Sequence, residues 1–256
     1  MPTEVESLTN AQIEEMRSGA RNAVRNCMAV GPGDRVFILS DRATRAIGQV
    51  LYDAAVETGA TTALHLLEDY VVRPITALPD NLRADLLGYR PTVTFYAAAS
   101  QTGEVAFRMA LRSFVVGELH VRHGHMPGIT YPLMVDGMRA DYQTIGALTQ
   151  RVYELCRTAH TIQVATPDGT DLTATFSPAL RWIPCTGLYT LPGQWGNLPE
   201  GEIFTCPADV NGTMVVHVLG DYFSEKYGVL ADPVTIDIRD GRAVGLHSKA
   251  QGLADE

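Results

Sequence analysis

The sequence predicts an α/β fold in which an N-terminal parallel sheet with flanking helices is followed by a β-rich (α+β) C-terminal portion. Apolar, strand-like runs in the first 160 residues are separated by helix-length segments, which is the pattern of parallel strands joined by crossover helices. After residue 160 the pattern changes to short strands and turns. We therefore predict an α/β domain over residues 1–160 and a β-rich domain over residues 161–256.

The elements of the first domain are predicted from the spacing of apolar residues. Helices are expected over residues 10–30, from about Ala43 to Gly59, over Glu104–Arg112, and as one long helix over Val135–His160. Strands are expected at Val36–Leu39, Thr61–Leu67, Val93–Ala98 and Glu118–Val121. The first of these is a continuous apolar run, which is typical of a strand that is covered on both faces.

The second domain is predicted to consist mainly of hairpins. Strands are expected at Thr161–Thr166, Thr170–Phe176, Met214–Leu219, Val234–Arg239 and Arg242–His247. The last two strands flank Asp240-Gly241, a pair that favours a tight primed turn. The segment Lys249–Glu256 is similar to the first turns of a helix, with a disordered polar tail as the alternative.

Composition excludes several classes of partner. The chain has 20 basic and 29 acidic side chains, a net charge of −9, whereas nucleic-acid binding needs a basic surface. No apolar run approaches the ~20 residues of a membrane helix, and the N-terminus lacks the features of a secretory signal. We therefore expect a cytoplasmic protein that binds neither nucleic acid nor membrane. Four well-separated cysteines predict reduced thiols.

Common catalytic and nucleotide-binding motifs are absent from the sequence, including the P-loop, G-x-G-x-x-G, G-x-S-x-G and H-E-x-x-H. His123 and His125 would share one face of a strand, and imidazole pairs bind zinc or iron. No carboxylate stands near them or His120 at a familiar ligand spacing, so hydrogen-bonded or surface histidines are the favoured interpretation. Cys185 and Cys206 are catalytic thiols only if a base lies nearby, and buried inert thiols are favoured.

The segment Trp195–Pro207 is the most informative part of the sequence. A loop rich in glycine and proline places Glu202 at the start of an apolar run, Ile203-Phe204-Thr205. Burying a carboxylate there costs several kcal/mol unless the carboxylate is paired or ligates a metal. The alternative is an exposed pair, Glu200 and Glu202, in a loop before an edge strand. The residues alone leave both interpretations open.

The stretch Gly196–Thr205 resembles the N-L-P-x-x-E-V-F-T signature of the thermophilic metallo-aminopeptidases of the aminopeptidase T/aminopeptidase S type. Gly169–Leu172, Asp232–Arg242 and Gly31–Asp34 are similar to further segments of that family, in the same order. The resemblance implies a hydrolase that removes N-terminal residues from peptides. It also implies that Glu202 ligates one ion of a two-metal site holding zinc, cobalt or magnesium.

The same resemblance implies a C-terminally truncated relative with an incomplete metal site. The remaining ligands of the family, a second glutamate and several histidines, would follow Glu256. A β-rich half without that region would leave a sheet edge or apolar surface uncovered, so we expect a homodimer.

Two alternatives to the aminopeptidase stay open. The fold family also resembles 2,5-dihydroxypyridine dioxygenase, a ring-cleaving enzyme with non-haem iron, and Pro192–Trp195 is weakly similar to it. That resemblance implies a small-molecule substrate and iron as the cofactor. The third hypothesis is a non-catalytic scaffold protein, because a fold does not determine a function.

Overall fold

The computed structural model describes residues 8–249 and 252–253, so most of the predicted tail after Lys249 lies outside the described residues. The described residues form seven α-helices: α1 (Asn10–Arg21), α2 (Arg45–Val56), α3 (Asp80–Tyr89), α4 (Val105–Arg112), α5 (Tyr131–Val135), α6 (Tyr142–Cys156) and α7 (Asp221–Tyr227).

They also form twelve strands: β1 (Arg35–Ser40), β2 (Thr61–Leu66), β3 (Val93–Ala97), β4 (Arg122–His125), β5 (Thr161–Ala165), β6 (Asp171–Thr175), β7 (Ile183–Cys185), β8 (Trp195–Asn197), β9 (Glu202–Phe204), β10 (Asp209–Val216), β11 (Val234–Arg239) and β12 (Arg242–His247). The chain divides into two compact units. One contains the residues up to Gln150 together with Cys185–Glu202, and the other contains Arg151–Pro184 and the residues from Ile203 onward.

The first unit is built on a five-stranded parallel sheet in the order β2-β1-β3-β4-β8. This confirms the predicted parallel sheet with helices. The fifth strand, β8, comes from a distant segment and pairs with β4, where His123 lies opposite Trp195. Three residues carry too little periodic pattern to be recognised as a strand, so the sequence did not predict it.

Apolar side chains cover both faces of this sheet, because successive residues of a strand point to opposite sides. On one face Val36, Ile38 and Phe95 belong to a core cluster packed with α1 and α2. On the other face Phe37 and Leu39 join a second cluster that includes residues of α3 and α4. The continuous apolar run in β1 is explained by this burial on both sides.

The predicted strand Glu118–Val121 is wrong, because β4 begins four residues later at Arg122. A π-helical segment, Ser113–Glu118, continues α4 and buries Phe114 and Val115 in the core. The strand itself is Arg-His-Gly-His, and a polar segment of this kind is not recognised from apolar patterning.

The predicted long helix Val135–His160 is also wrong. The chain forms α5, then a 3₁₀ turn over Gly137–Arg139, then α6. Asp141 starts α6 because its Oδ1 accepts hydrogen bonds from the backbone N–H groups of Gln143 at 3.0 Å and Thr144 at 3.3 Å. This capping interaction defines a new helix start. The predicted helix over residues 10–30 likewise consists of α1 followed by a π-helical segment, Asn22–Cys27.

The second unit contains a five-stranded antiparallel sheet in the order β12-β11-β10-β6-β5, which confirms the β-rich C-terminal portion. The β11–β12 hairpin has the predicted bounds, and both turn residues, Asp240 and Gly241, adopt positive φ as a primed turn requires. The strand predicted at Met214–Leu219 begins earlier, at Asp209. Strands β7 and β9 form a separate two-stranded sheet. None of the helices in the described part of the chain combines the length and apolarity that crossing a membrane requires.

Candidate metal site

Three acidic side chains meet in the first unit, where β7 ends and β9 begins. Cys185 is the last residue of β7, Glu202 is the first of β9, and Glu200 lies in the loop before it. One potential ligand atom from each residue lies within 4.8 Å of the others. Cys185 and Glu200 are half-buried, whereas Glu202 is exposed.

Glu200 is held in place by three hydrogen bonds. The buried Tyr189 hydroxyl donates to its Oε2, and the Asn197 side-chain amide donates to its Oε1 at 3.5 Å. The backbone N–H of Glu200 donates to the Tyr142 hydroxyl at 3.3 Å. The carboxylate orientation therefore depends on residues from β8, from α6 and from the segment between β7 and β8.

Glycine is required where Tyr189 approaches Glu200. A Cβ atom at Gly196 would lie 1.8 Å from the Tyr189 hydroxyl oxygen and 2.6 Å from Oε2 of Glu200. A Cβ at Gly187, where φ is +73°, would lie 2.3 Å from the Tyr142 ring. Tyr189 and Tyr142, which position Glu200, thus occupy the space that any side chain at Gly196 or Gly187 would need.

The electrostatics of the cluster favour the protonated forms of Glu200 and Cys185. Burial raises the pKa of Glu200, and the nearby Glu202 charge raises it further. Burial raises the pKa of the Cys185 thiol to about 12, with contributions from the charge and hydrogen bonding of Glu200. Like charges close together in a half-buried place disfavour ionisation, and a bound cation reverses that preference.

The donor set fits a divalent cation. Two carboxylates and a thiol provide three protein ligands, the number that catalytic metal sites typically use while leaving a position open. Thiolate together with carboxylate suits zinc or cobalt better than magnesium, which prefers oxygen ligands alone. No histidine belongs to this cluster in the described part of the chain.

The structure places the predicted site residues in different environments. Glu202 lies in the cluster, but its side chain is exposed, so the argument from burial applies to Glu200 instead. Cys185, for which an inert thiol was favoured, is the third member. Cys206 is exposed, contrary to the expected burial. Residue spacing alone does not identify Glu200 or Cys185. Cys185 reaches the cluster from a different segment of the chain, and the burial of Glu200 depends on its contact with Tyr189.

The predicted histidine pair is buried on β4, away from any carboxylate ligand among the described residues. His123 and His125 lie with Nε2 and Nδ1 3.2 Å apart, and His123 Nδ1 lies 2.8 Å from the Thr94 hydroxyl. Burial lowers the pKa of both imidazoles, that of His125 to about 4. This agrees with the hydrogen-bonded interpretation, whereas His120 is exposed at positive φ.

A second charged cluster in the first unit has complete internal pairing. Arg73 is buried and forms ion pairs with the buried carboxylates of Asp41 and Glu104. Asp41 also accepts hydrogen bonds from the backbone N–H groups of Thr44 and Ala99, both at 2.8 Å. Both carboxylates are paired with the one guanidinium, so the cluster joins the segments after β1, β2 and β3 without offering a free ligand.

Comparisons with known proteins agree with this fold. The family model for 2,5-dihydroxypyridine 5,6-dioxygenase matches residues 140–251, which is less than half of the chain. The chain shares its fold with solved proteins, among them the following two. A 2,5-dihydroxypyridine dioxygenase from Pseudomonas putida KT2440 superposes with a TM-score of 0.64 and 17% identity, over 95% of this chain and 70% of that one.

The second solved protein is wild-type AmpT from Thermus thermophilus, with a TM-score of 0.62 and 16% identity, over 93% of this chain and 72% of that one. No curated protein matches the sequence. Both predicted resemblances are therefore supported as distant similarities, and at these identities the shared property is the fold.

Proposed function

We propose that this protein binds a divalent cation through Cys185, Glu200 and Glu202 and acts as a metal-dependent hydrolase of the aminopeptidase type on peptides. The observation that carries the proposal is the convergence of three ligand atoms within 4.8 Å. The fold shared with AmpT and the segment Gly196–Thr205 support the choice of reaction.

Zinc or cobalt bound there would supply Lewis-acid polarisation of a carbonyl group and a lowered pKa for a bound water. The chain's own residues hold the ligands. Tyr189 and Asn197 orient the Glu200 carboxylate by donating to its two oxygens. Hydrogen bonds of this kind fix the orientation of a metal ligand. Removing one typically lowers metal affinity by about 10- to 100-fold.

A second candidate, a ring-cleaving dioxygenase that uses iron, is favoured by the family model, because its match over residues 140–251 includes all three cluster residues. Non-haem iron enzymes of this general kind typically use two histidines and one carboxylate. The thiol and two carboxylates of the cluster differ from that set, so the donor chemistry favours hydrolysis.

The proposal extends to a homodimer in the cytoplasm whose partners are peptides or small molecules. Leu148 and Leu155 on α6 are 60% and 71% exposed, and residues seven apart lie on one face of a helix. A second copy covering that face would remove the apolar surface from water. Light scattering of the full chain at micromolar concentration should give twice the monomer mass; a monomer would contradict this part.

Zinc titration by calorimetry, with elemental analysis after dialysis, tests the metal site. We expect one zinc per chain in the native protein, and a loss of affinity of about tenfold or more in Glu202→Gln and in Cys185→Ser. Glu118→Gln and Cys206→Ser are matched controls, because both residues are exposed and lie outside the cluster. Unchanged zinc affinity in Glu202→Gln would contradict the assignment.

Two activity assays separate the reactions. Release of N-terminal residues from short peptides by the zinc or cobalt form would support the hydrolase. Oxygen consumption with 2,5-dihydroxypyridine by the iron form would support the dioxygenase instead. Metal binding with neither activity would favour the scaffold hypothesis.

A further inference from the structure

Among the described residues, three buried side-chain atoms have no hydrogen-bond partner: the Tyr96 hydroxyl oxygen, Nε of Arg108 and Nε of Arg112. Tyr96 itself is 1% exposed. Each of the three groups can donate a hydrogen bond, so the missing partner is an acceptor. Buried donors of this kind normally have a partner, and an ion or ordered water is the usual reason why one is not seen.

The three donors belong to one place in the first unit. Arg108 and Arg112 stand one turn apart on α4, where residues four apart are neighbours. The Arg112 guanidinium stacks on Trp195, 4.6 Å from the ring centroid. Trp195 meets the His125 ring edge-on at 6.2 Å, and His125 stacks on Tyr96 at 5.4 Å.

The charge at this place is positive. Neither Arg108 nor Arg112 forms an ion pair with a residue in the described part of the chain. The two acids whose charges act on the Tyr96 hydroxyl, Glu104 and Asp41, are both paired with Arg73. The field of both arginines reaches His125, where, after burial, it contributes to the lowered pKa of the imidazole.

We propose that Arg108 and Arg112, together with the Tyr96 hydroxyl, form a binding site for an oxyanion, either a carboxylate or a phosphate group. A guanidinium presents a planar set of donors that matches the oxygens of these groups. An oxyanion supplies acceptors for the three donors and also neutralises positive charge on Arg108 and Arg112. A water molecule could accept the hydrogen bonds, but it would leave the charges of both arginines without a counter-ion.

This site is distinct from the candidate metal site. Trp195 and Gly196 are consecutive in β8, so their side-chain directions point to opposite faces of the sheet. Trp195 faces Arg112, and Gly196 faces Tyr189 and Glu200. Binding of an anion beside Trp195 can therefore be tested independently of metal binding at Glu200, and either proposal can fail without the other.

Trp195 provides the measurement. The chain has two tryptophans, so Trp182→Phe leaves Trp195 as the single one. Sodium phosphate and sodium acetate are titrated into this variant at constant ionic strength, maintained with sodium chloride. We expect a saturable change in Trp195 fluorescence and a higher melting temperature with at least one of the two anions. Saturation by phosphate identifies a phosphate site, and saturation by acetate identifies a carboxylate site.

Substitutions locate the response. Arg112→Gln and Arg108→Gln should each raise the dissociation constant about tenfold or more, because each removes a charged donor. Arg83→Gln is the matched control and should leave the constant unchanged. Arg83 also stacks on an aromatic ring, Phe114 at 4.5 Å, but its charge is paired with Glu118 at 2.8 Å.

Tyr96→Phe keeps the ring that stacks on His125 and removes the hydroxyl, so it should weaken binding severalfold while the protein stays folded. The proposal is overturned if neither anion produces a saturable response beyond that of chloride. It is equally overturned if binding persists unchanged in Arg108→Gln and Tyr96→Phe, since waters would then satisfy the three donors.

Discussion

Two charged clusters in the first unit differ in how their charges are balanced. In the Asp41–Arg73–Glu104 cluster, one guanidinium lies between two carboxylates, and the remaining carboxylate lone pairs accept backbone N–H groups. In the Cys185–Glu200–Glu202 cluster, three acidic groups face one another and no cation among the described residues joins them. The first cluster is complete as folded, whereas the second gains stability from a partner with positive charge.

The difference separates structural from functional use of buried charge. A paired, fully hydrogen-bonded cluster is strongly destabilised when one partner is removed. A cluster of like charges is destabilising without its ligand, so removing one charge relieves repulsion and abolishes ligand binding at the same time. The same kind of substitution should therefore have opposite effects on stability in the two places.

The largest effect is expected for Arg73→Met, which leaves Asp41 and Glu104 buried without a counter-charge. The free energy of unfolding in urea should fall by about 3–5 kcal/mol. Arg83→Met is the control, because the Arg83–Glu118 ion pair is exposed and contributes less than about 1 kcal/mol. A loss for Arg73→Met as small as that of the control would remove the distinction between the clusters.

The next largest effect is expected for Gly196→Ala. The added Cβ would overlap the Tyr189 hydroxyl and displace it from Glu200. Overpacking of this kind costs up to about 3 kcal/mol, and zinc affinity should fall with it because Glu200 loses its orientation. Gly88→Ala in α3, where a Cβ meets no atom within 4 Å, should keep both properties. Unchanged zinc affinity in Gly196→Ala would show that Tyr189 does not position the carboxylate.

Acid should destabilise the first unit through its buried histidines. Burial lowers the pKa of His125 from 6.5 to about 4. The unfolded chain therefore takes up a proton as the pH falls below 6.5, while folded His125 stays neutral until about pH 4, and stability is lost across that interval. Between pH 7 and pH 5 the loss should be about 2 kcal/mol for this residue.

His125→Gln should reduce that dependence on pH, as measured by urea unfolding at several pH values. His217→Gln is the control, because His217 is exposed beside Asp168. If His125→Gln keeps the full dependence of the native protein, the pKa of His125 does not differ between the folded and unfolded states, and the predicted effect of its burial is wrong.

The smallest effect is expected for Glu200→Gln without metal. The amide keeps an acceptor for Tyr189 and removes one of the like charges, so stability should rise by less than about 1 kcal/mol. Because the pKa of Glu200 is raised in the folded protein, the gain should be greater at pH 8 than at pH 5. A clear loss of stability at pH 8, compared with Glu118→Gln, would place Glu200 among the structural charges.

Several elements of this protein are determined by local sequence alone. The apolar run of β1 and the Asp240-Gly241 turn have the predicted positions, because burial on both faces and the primed turn each depend on a few adjacent residues. The α/β architecture followed by a β-rich portion results from the same local patterns, repeated along the chain.

The site itself was decided by tertiary structure. Glu200 is buried by Tyr189, eleven residues away, and contacts Tyr142, 58 residues away, neither of which the Gly196–Thr205 pattern contains. Strand β8 exists because β4 offers it a sheet edge, and that pairing brings Trp195 to Arg112. Periodicity and turn propensity describe a residue and its sequence neighbours, whereas burial, charge balance and missing partners arise only when distant segments pack together.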